Sequence, residues 1–335
     1  MSKRKNPSGK ENPNHEICEI LSELAEYEKN VSRNIYKYNA YRKAAMVIAT
    51  HPKKLQSGEE AKHLKGVGEK IAKKIDEILS TGKLRKLEEI HSDDASNAIT
   101  LLTRVSGIGP AKARQLVDHG IKTIEQLKKH KDKLNHHQLI GLKYFEDFEK
   151  KIPRKEIEEM EKIIKEEVHK LDGDYKITIC GSYRRGKLEI SDIDILVTHP
   201  KYSSSDHEHH KKNTYLENIV ECLKKYGLIT ETISLGESKF MGACKLKEDT
   251  PTRRIDIRFM PCDQYYCGIL YFTGSNLFNQ EMRAHAHEEG FLLNEYALKP
   301  LGSTGTPGEP VEIHSEKDIF EAINYPYKKP EERNI

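Results

Sequence analysis

Apolar residues recur every three or four positions through the first part of the chain, and every second position through several short runs further on. The first spacing predicts helices and the second predicts strands. Ile17, Ile20, Leu21, Leu24 and Tyr27 form one helical stripe, and Ile35, Tyr38, Tyr41, Ala45 and Val47 suggest another helix. Residues 56–65 read as a loop into Gly66-Val67-Gly68, then a helix from Glu69 to about Leu79 that Thr81-Gly82 ends. The polar stretch His91–Asn97 reads as a linker. The glycine pattern then repeats: Leu64-Lys65-Gly66-Val67-Gly68-Glu69-Lys70 matches Val105-Ser106-Gly107-Ile108-Gly109-Pro110-Ala111. Pro110 suits the first position of the helix that follows, and Gly120 ends it. Further helices cover Ile124–Lys129 and roughly 136–150.

The second half changes period. Ile157, Met160, Ile164, Val168 and Leu171 mark an amphipathic helix. Tyr175, Ile177 and Ile179 then alternate as a strand, and Ile193–Thr198 is the next. Lys201–Asn213, rich in Ser, His and Lys, reads as a mobile loop before a helix at Thr214–Lys225. Strands near Ile229–Ile233, Lys239–Leu246 and Arg254–Met260 complete an antiparallel or mixed sheet. From Gln264 onward the pattern gives two helices, a Pro/Gly loop at Gly302–Pro310 and a last helix near Glu316–Ile323.

Composition refines this picture. At 335 residues the chain should hold two to four domains, and with 36% hydrophobic and 33% charged residues these are small and well solvated. The net charge of +3 hides an asymmetry, since residues 1–90 carry 19 Lys+Arg against 13 Asp+Glu. A basic leading part ahead of a carboxylate-bearing one suits a protein that grips a phosphate backbone and does metal chemistry nearby. The six cysteines form no Cys-x-x-Cys pair and read as reduced thiols of an intracellular protein. No apolar run is long enough to span a membrane, and no signal-peptide pattern is present, so no membrane partner is expected. The start, Ser2 to Lys10, reads as a disordered basic tail; a nuclear address is one reading of it, and a solvated terminus is the plainer one for so few basic residues.

The chemistry concentrates in two strand-like runs. Asp192 and Asp194 stand in Ser-Asp-Ile-Asp-Ile-Leu-Val, and Asp256 stands in Arg-Arg-Ile-Asp-Ile-Arg. Alternation puts Asp192 and Asp194 on one face, and Asp256 can join them from a neighbouring strand. Three carboxylates among apolar neighbours repel one another unless a cation lies between them. Hard oxygen donors with room for phosphates suit Mg²⁺, with Mn²⁺ as a substitute. Two such ions clamp the attacking and leaving oxygens of an in-line displacement. Upstream, Gly181-Ser182-Tyr183-Arg184-Arg185-Gly186 can turn amides, the Ser182 hydroxyl and the Arg185 charge toward a triphosphate. A charge-protected strand edge is the plainer alternative for Asp-x-Asp alone, and the apolar flanks count against it.

Other features say less by themselves. A Gly-x-Gly turn opening a helix offers backbone N–H groups to phosphate; one copy is an ordinary helix entry, but two copies followed by Lys70 and Lys112 favour sequence-independent DNA contact. Residues 62–86 carry Lys62, Lys65, Lys70, Lys73, Lys74, Lys83, Arg85 and Lys86, offset by Glu69, Asp76 and Glu77. Crowding favours a neutral amine for Schiff-base chemistry, yet on composition a solvated basic face is the plainer reading. The aromatic run Tyr265 to Asn276 can wall a nucleotide pocket or fill a core. Asp206-His207-Glu208-His209-His210 could bind zinc, but a solvated loop is simpler.

Taken together, these motifs resemble the DNA polymerase beta family, the X family of small repair polymerases, from about Leu21 to the C-terminus. The most specific stretches are Tyr38-Asn39-Ala40-Tyr41-Arg42-Lys43-Ala44-Ala45, Leu102 to Gly109, Arg254-Ile255-Asp256-Ile257-Arg258, and Tyr265 to Ser275. The resemblance implies a multidomain α+β fold. All-α helix-hairpin-helix domains come first, then a nucleotidyltransferase-type palm with a mixed or antiparallel sheet, then a small C-terminal α/β subdomain. The implied divisions are a tail at 1–13, a lyase domain at 14–90, a DNA-binding subdomain at 91–150, the palm at 151–262 and a nucleotide-selection subdomain at 263–335.

By the same resemblance, Asp192, Asp194 and Asp256 ligate two Mg²⁺, and Asp256 helps deprotonate the primer 3′-hydroxyl. Ser182, Arg185, Ser191 and Gly274 hold the triphosphate. Tyr271 and Phe272 flank the sugar, Asn279 meets the base edge, Arg283 meets the template, and Glu295 and Tyr296 belong to the closing subdomain. Lys74 matches a Schiff-base nucleophile that removes 5′-deoxyribose phosphate, with Lys37, Tyr41, Lys62, Lys70 and Lys86 around the 5′-phosphate. Gly66, Gly68, Gly107 and Gly109 shape the DNA-binding turns, where Na⁺ or K⁺ is held by carbonyls of Lys62, Leu64 and Val67, and of Thr103, Val105 and Ile108. A cis peptide is implied at Gly274–Ser275. The expected partners are gapped or nicked DNA, deoxynucleoside triphosphates and other base-excision-repair proteins. The expected form is a monomer in the nucleus, with the cytoplasm as a second location.

Four positions depart from the family pattern: Tyr36 for His, Lys73 for an acid, Ser191 for Gly, and Asn276 for an Asp against the incoming base. The last removes a negative charge and implies tighter nucleotide binding. The rival readings are a template-independent nucleotidyltransferase and a non-catalytic DNA-end-binding scaffold. The paired glycine turns and Arg283 count against the first, and the intact triad against the second.

Overall fold

The structure is a computed structural model that describes residues 12–208 and 213–334. The basic tail up to Glu11, and the side chains of His207–His210, lie outside the described residues. The chain divides into two compact units, Met1–Phe145 and Glu146–Asn334.

Through its described residues the first unit is helical: α1 (His15–Asn30), α2 (Ile35–Thr50), α3 (Gly58–Lys62), α4 (Glu69–Thr81), α5 (Arg85–His91), α6 (Asp94–Leu102), α7 (Pro110–Asp118), α8 (Ile124–Lys129), α9 (His136–Lys143) and the short α10 (Phe145–Phe148) at the junction. It has two cores, one built from residues between Ile17 and Ile90 and one from residues between Ala98 and Leu142. α4 shows how sequence makes such a helix. Gly68 opens it, Ile71, Ala72, Ile75 and Ile78 bury one face, and Gly82 closes it in the left-handed region at φ 72°.

Three segments of this unit differ from expectation. His91–Asn97 is not a linker: Asp93 caps α6 by accepting from the Ser96 amide, and Asp94 and Asn97 are exposed while Ser96, Ala98, Ile99 and Leu102 are buried. The loop at 56–65 contains α3, capped by Ser57. The buried face of α2 runs through Ala44, Ala45 and Ile48, leaving Ile35 exposed.

The second unit is built on a five-stranded sheet in the order β2-β4-β7-β6-β5. Its strands are β2 (Lys176–Ile179), β4 (Ile193–Thr198), β5 (Ile229–Leu235), β6 (Lys239–Cys244) and β7 (Arg253–Met260). β4 and β7 run parallel and the other pairs antiparallel, so the sheet is mixed, as expected. A separate two-residue pair joins β1 (Ile152–Pro153) to β3 (Glu189–Ile190). One sheet face packs on α11 (Arg154–His169) and α14 (Tyr215–Tyr226), burying Ile157, Met160, Ile164, Leu216 and Leu223 against Ile177, Ile195 and Ile257.

The other face receives α15 (Tyr265–Thr273) through Leu196, Met260, Tyr265 and Ile269. Gly268 permits this approach: a Cβ there would lie 2.4 Å from the Met260 sulfur. α16 (Asn276–Glu288), the hairpin β8 (Phe291–Leu293)–β9 (Leu298–Pro300) and α17 (Glu316–Ala322) follow. The hairpin lies outside the expected elements, because its strands are three residues each. Leu171 lies beyond α11 and is exposed. The loop expected at Lys201–Asn213 begins instead as a short helix, α13 (Ser204–Glu208). The six cysteines are free, and no helix of the described residues is long and apolar enough to cross a membrane.

Candidate active site

Register brings the carboxylates together. Asp194 and Asp256 are direct partners across the parallel β4–β7 pair, so their side chains leave the same face of neighbouring strands, a spacing of about 4.8 Å between strands. Asp192 stands two residues ahead of Asp194, in the bend that leads into β4. Two of the three carboxyls, Asp192 and Asp194, have raised pKa values. Burial first, then the charges of Asp192 and Asp256, push the Asp194 carboxyl up to about 7, against the pull of Arg254 and Arg258. Asp192 is exposed as a whole residue, but loss of water around its carboxyl raises its pKa as well, with Arg254 and Lys151 opposing the rise and Asp256 adding to it. Arg254 donates to Asp256 at 3.0 Å. Three carboxylates gathered on one side of the sheet are the kind of oxygen-donor set a hard divalent ion fits.

The Gly-Ser turn is pinned to this cluster. The Cys180 amide donates to the Asp194 carbonyl at 2.8 Å, and Gly181 enters the single turn α12 (Gly181–Arg184) at φ 58°. No hydrogen bond within the described residues occupies the Ser182 hydroxyl. Arg185 donates to the Thr273 carbonyl at 2.5 Å and to the Asn334 side chain at 3.0 Å. Burial lowers its pKa while the Asp194 charge opposes that, which places the two groups within electrostatic reach. Gly274 is adjacent, and the peptide Gly274–Ser275 is cis, as the resemblance implied.

Tyr271, Asn279 and Arg283 converge. Asn279 donates to the Tyr271 carbonyl at 2.7 Å, and the Arg283 guanidinium sits 4.9 Å from the Tyr271 ring while pairing with Glu295 at 3.7 Å. Phe272 meets Tyr271 edge-on and lies under Arg258. Asn276 is exposed at the start of α16 and accepts from Gln280, and Tyr296 is exposed. Ser191 is turned elsewhere: its hydroxyl accepts from Lys151 at 2.7 Å rather than facing Ser182 or Arg185.

One element of the site had no local signal in the sequence. Arg184 donates to Glu316 at 2.5 Å and to the Thr273 hydroxyl at 2.7 Å, while Arg333, fully buried, donates to Glu316 at 2.6 Å. This network fixes both ends of the Arg185 cradle. Its partners lie 132 and 17 residues apart in sequence.

A second acidic group, Asp172, Asp174 and His199, lies at the far end of β4. There the His199 Nδ1 accepts from the Lys201 amide at 3.2 Å and Nε2 faces Asp172 at 3.1 Å. The ligand atoms of these three residues lie within 4.8 Å of one another, so the group could hold a metal ion.

In the first unit, Lys74 is half-buried on α4 and Lys70 is exposed one turn earlier; neither has an ion-pair partner among the described residues. The other lysines are more strongly offset than the sequence suggested. Lys62 lies between Glu59 and Glu69, 2.8 Å from each, and both raise its pKa. Lys73 turns to Glu69 at 3.6 Å and Lys37 to Glu28 at 3.5 Å, while Lys86 lies over the Tyr27 ring. Burial and the Glu28 charge raise the Tyr41 pKa. Tyr36 is 86% exposed.

The two glycine turns are copies in structure as well as sequence. Gly66 and Gly107 have φ 98° and 87°. The Val67 amide donates to Leu64 at 3.1 Å and the Ile108 amide to Val105 at 3.0 Å, and Gly68 and Gly109 cap α4 and α7 with ψ 173°. The Leu64 and Val105 carbonyls are therefore already engaged once, each with a second lone pair remaining.

A mixed sheet that presents carboxylates from two parallel strands beside a Gly-Ser turn defines a nucleotidyltransferase-type palm. Family models match in series along the chain: a helix-hairpin-helix domain at residues 12–84, the fingers domain of DNA polymerase lambda at 100–149, the DNA polymerase beta palm at 151–262 and the DNA polymerase beta thumb at 268–334. The chain is 33% identical over 338 residues to DNA polymerase lambda of Arabidopsis thaliana, covering 96% of this chain and 62% of the relative. It is 32% identical over 335 residues to DNA polymerase lambda of Rattus norvegicus, covering 96% of this chain and 56% of the relative. The chain belongs to the X family of DNA polymerases. Within that family these two likenesses, which run along nearly the whole chain, are to polymerase lambda rather than to beta, the member whose name the resemblance carried. Of the stretches that carried the resemblance, Arg254–Arg258 and most of Tyr265–Ser275 fall in the palm and thumb matches that bear the beta name, while Tyr38–Ala45 falls in the helix-hairpin-helix match and Leu102–Gly109 in the lambda fingers match. The chain spans about three-fifths of the length of these curated relatives.

Proposed function

We propose that this chain is a DNA-directed DNA polymerase that fills short gaps during base excision repair, and that its first domain removes the 5′-deoxyribose phosphate. The observation that carries the first part is the register of Asp194 opposite Asp256 with Asp192 two residues away, beside the Gly181-Ser182 turn. Asp192, Asp194 and Asp256 would hold two Mg²⁺, or Mn²⁺ in their place, which supply charge stabilisation at the attacking and leaving oxygens. Asp256 takes the proton of the primer 3′-hydroxyl. Ser182 and Arg185, with the backbone at Gly274, hold the triphosphate, and Ser191 joins them once released from Lys151. Tyr271 and Phe272 bound the sugar. Asn279 reads the base edge, and Arg283 exchanges Glu295 for the template strand. Glycine turns in duplicate supply sequence-independent grip on the DNA backbone, with Na⁺ or K⁺ at their carbonyls.

In the lyase reading the Lys74 amine attacks C1′ of the sugar aldehyde and water leaves, forming an imine. Loss of the C2′ proton then breaks the C3′–O bond, leaving a 5′-phosphate on the DNA. Lys37, Tyr41, Lys62, Lys70 and Lys86 grip that phosphate. Lys74 is half-buried and has no ion-pair partner among the described residues, which supports this assignment. The test of the whole reading is primer extension on a one-nucleotide gap with all four template bases, against the same primer without a template. Incorporation that follows the template supports a polymerase. Equal addition without a template favours the transferase, and DNA binding without addition favours the scaffold.

A further inference from the structure

The two glycine turns share a backbone and differ in what lies across them. At Gly107 the covering group is the ring of His137: a Cβ on that glycine would stand 2.9 Å from two ring carbons. The ring is tied to the turn, since the Ser106 hydroxyl and His137 Nε2 are 3.0 Å apart and Gln138 donates to the Gly107 carbonyl at 3.0 Å. At Gly66 the same space is taken by Lys43, from α2. Its Cγ, Cδ and Cε lie 3.1, 3.2 and 3.3 Å from where a Cβ would be. Three successive carbons at nearly equal distance mean that the stem lies flat along the glycine. The ammonium, one bond beyond Cε, therefore stands at the edge of an exposed turn.

The charges around that turn are unequal. Lys62 and Lys73 are neutralised by Glu59 and Glu69, and Lys37 by Glu28. Lys43 has no ion-pair partner among the described residues. A cation set beside a phosphate-binding turn, with its stem already ordered by packing on Gly66, meets an incoming phosphodiester with less side-chain entropy left to lose.

We infer that Lys43 is a backbone-phosphate ligand of the first glycine turn, a contact that His137 does not duplicate at the second. This rests on the proposed DNA binding. The test is fluorescence anisotropy of the full chain on a labelled one-nucleotide-gap duplex carrying a 5′-phosphate, titrated at several KCl concentrations. Lys43→Met keeps the stem and removes the charge, and Lys43→Arg keeps the charge. One phosphate contact contributes about 0.9 to the slope of log affinity against log salt. Lys43→Met should bind more weakly with a slope shallower by about that amount. The parent should thus lose about 3.5-fold more affinity than this variant between about 50 and about 200 mM salt. The loss should be the same on a second, unrelated sequence, and Lys43→Arg should restore the slope. A Lys43→Met slope equal to the parent's, in a parent that binds with clear salt dependence, would overturn the inference and leave the residue as a packing cover. A parent with no salt-dependent binding to the gap would overturn the DNA-binding reading and this inference with it.

Discussion

Gly181 stands so close to Asp194 that a Cβ on the glycine would lie 2.8 Å from Oδ2 of the aspartate. The glycine is also in the left-handed region, at φ 58°. Gly181→Ala should therefore cost about 1–2 kcal/mol of stability through the backbone and also push the Asp194 carboxyl from its place. A displacement of about 1 Å at a reacting centre costs on the order of a hundredfold in rate. Nucleotide incorporation by this variant, measured well below its melting temperature, should fall by about that factor while gap binding is kept.

The Arg184–Glu316–Arg333 cluster makes the Arg185 cradle depend on pH. Burial alone would raise the Glu316 pKa, but the Arg184 hydrogen bond and the charges of Arg333 and Arg184 outweigh it and hold the carboxyl below its ordinary 4.5. A carboxylate whose folded pKa is depressed adds stability that is fully present above the unfolded value and is lost as pH falls through the folded one. Thermal melts should show that contribution intact at pH 7 and fading below about 4.3. Glu316→Ala leaves Arg333 buried without its carboxylate and should lower stability by about 3–5 kcal/mol at pH 7. The gap between variant and parent should narrow in acid.

At the start of α16, Asn276 is exposed and bonded to Gln280. Asn276→Asp adds a negative charge where the incoming nucleotide would lie. Like charges at a solvent-exposed site cost roughly 0.3–1 kcal/mol. The nucleotide KM should rise about two- to fivefold, and an unchanged KM would show that the position does not face the nucleotide.

For the lyase step, borohydride reduction on an incised abasic duplex should trap the parent covalently. Lys74→Ala should give no adduct while filling a phosphate-ended gap at the parent rate. An adduct of parental intensity would move the nucleophile to another lysine.

The sequence made the triad legible because alternation is a strong signal: Asp194 and Asp256 interrupt Ile193–Val197 and Ile255–Phe259 with the period of a strand. The repeat at Gly66 and Gly107 was legible for a similar reason, since a left-handed turn selects glycine. α6 was hidden because its first turn carries polar Asp94, Ser96 and Asn97, of which Ser96 is nevertheless buried, and its large apolar residues begin only at Ile99. The Glu316 network was hidden because no local spacing links α12 to a residue more than a hundred positions later. The pairing of Lys62 with Glu59 and Glu69 was not legible, because the sequence shows how many cations are present and not which carboxylates fold onto them.

We propose that Asp192, Asp194 and Asp256 act together in nucleotidyl transfer. The most direct measurement of this is single-turnover incorporation on a one-nucleotide gap by Asp256→Asn beside the parent, with gap affinity measured on the same samples. Loss of about 4 kcal/mol of transition-state stabilisation corresponds to roughly a thousandfold in rate. The predicted result is a fall of that order or more, with gap affinity within about twofold of the parent. Incorporation at the parent rate by Asp256→Asn would contradict the account.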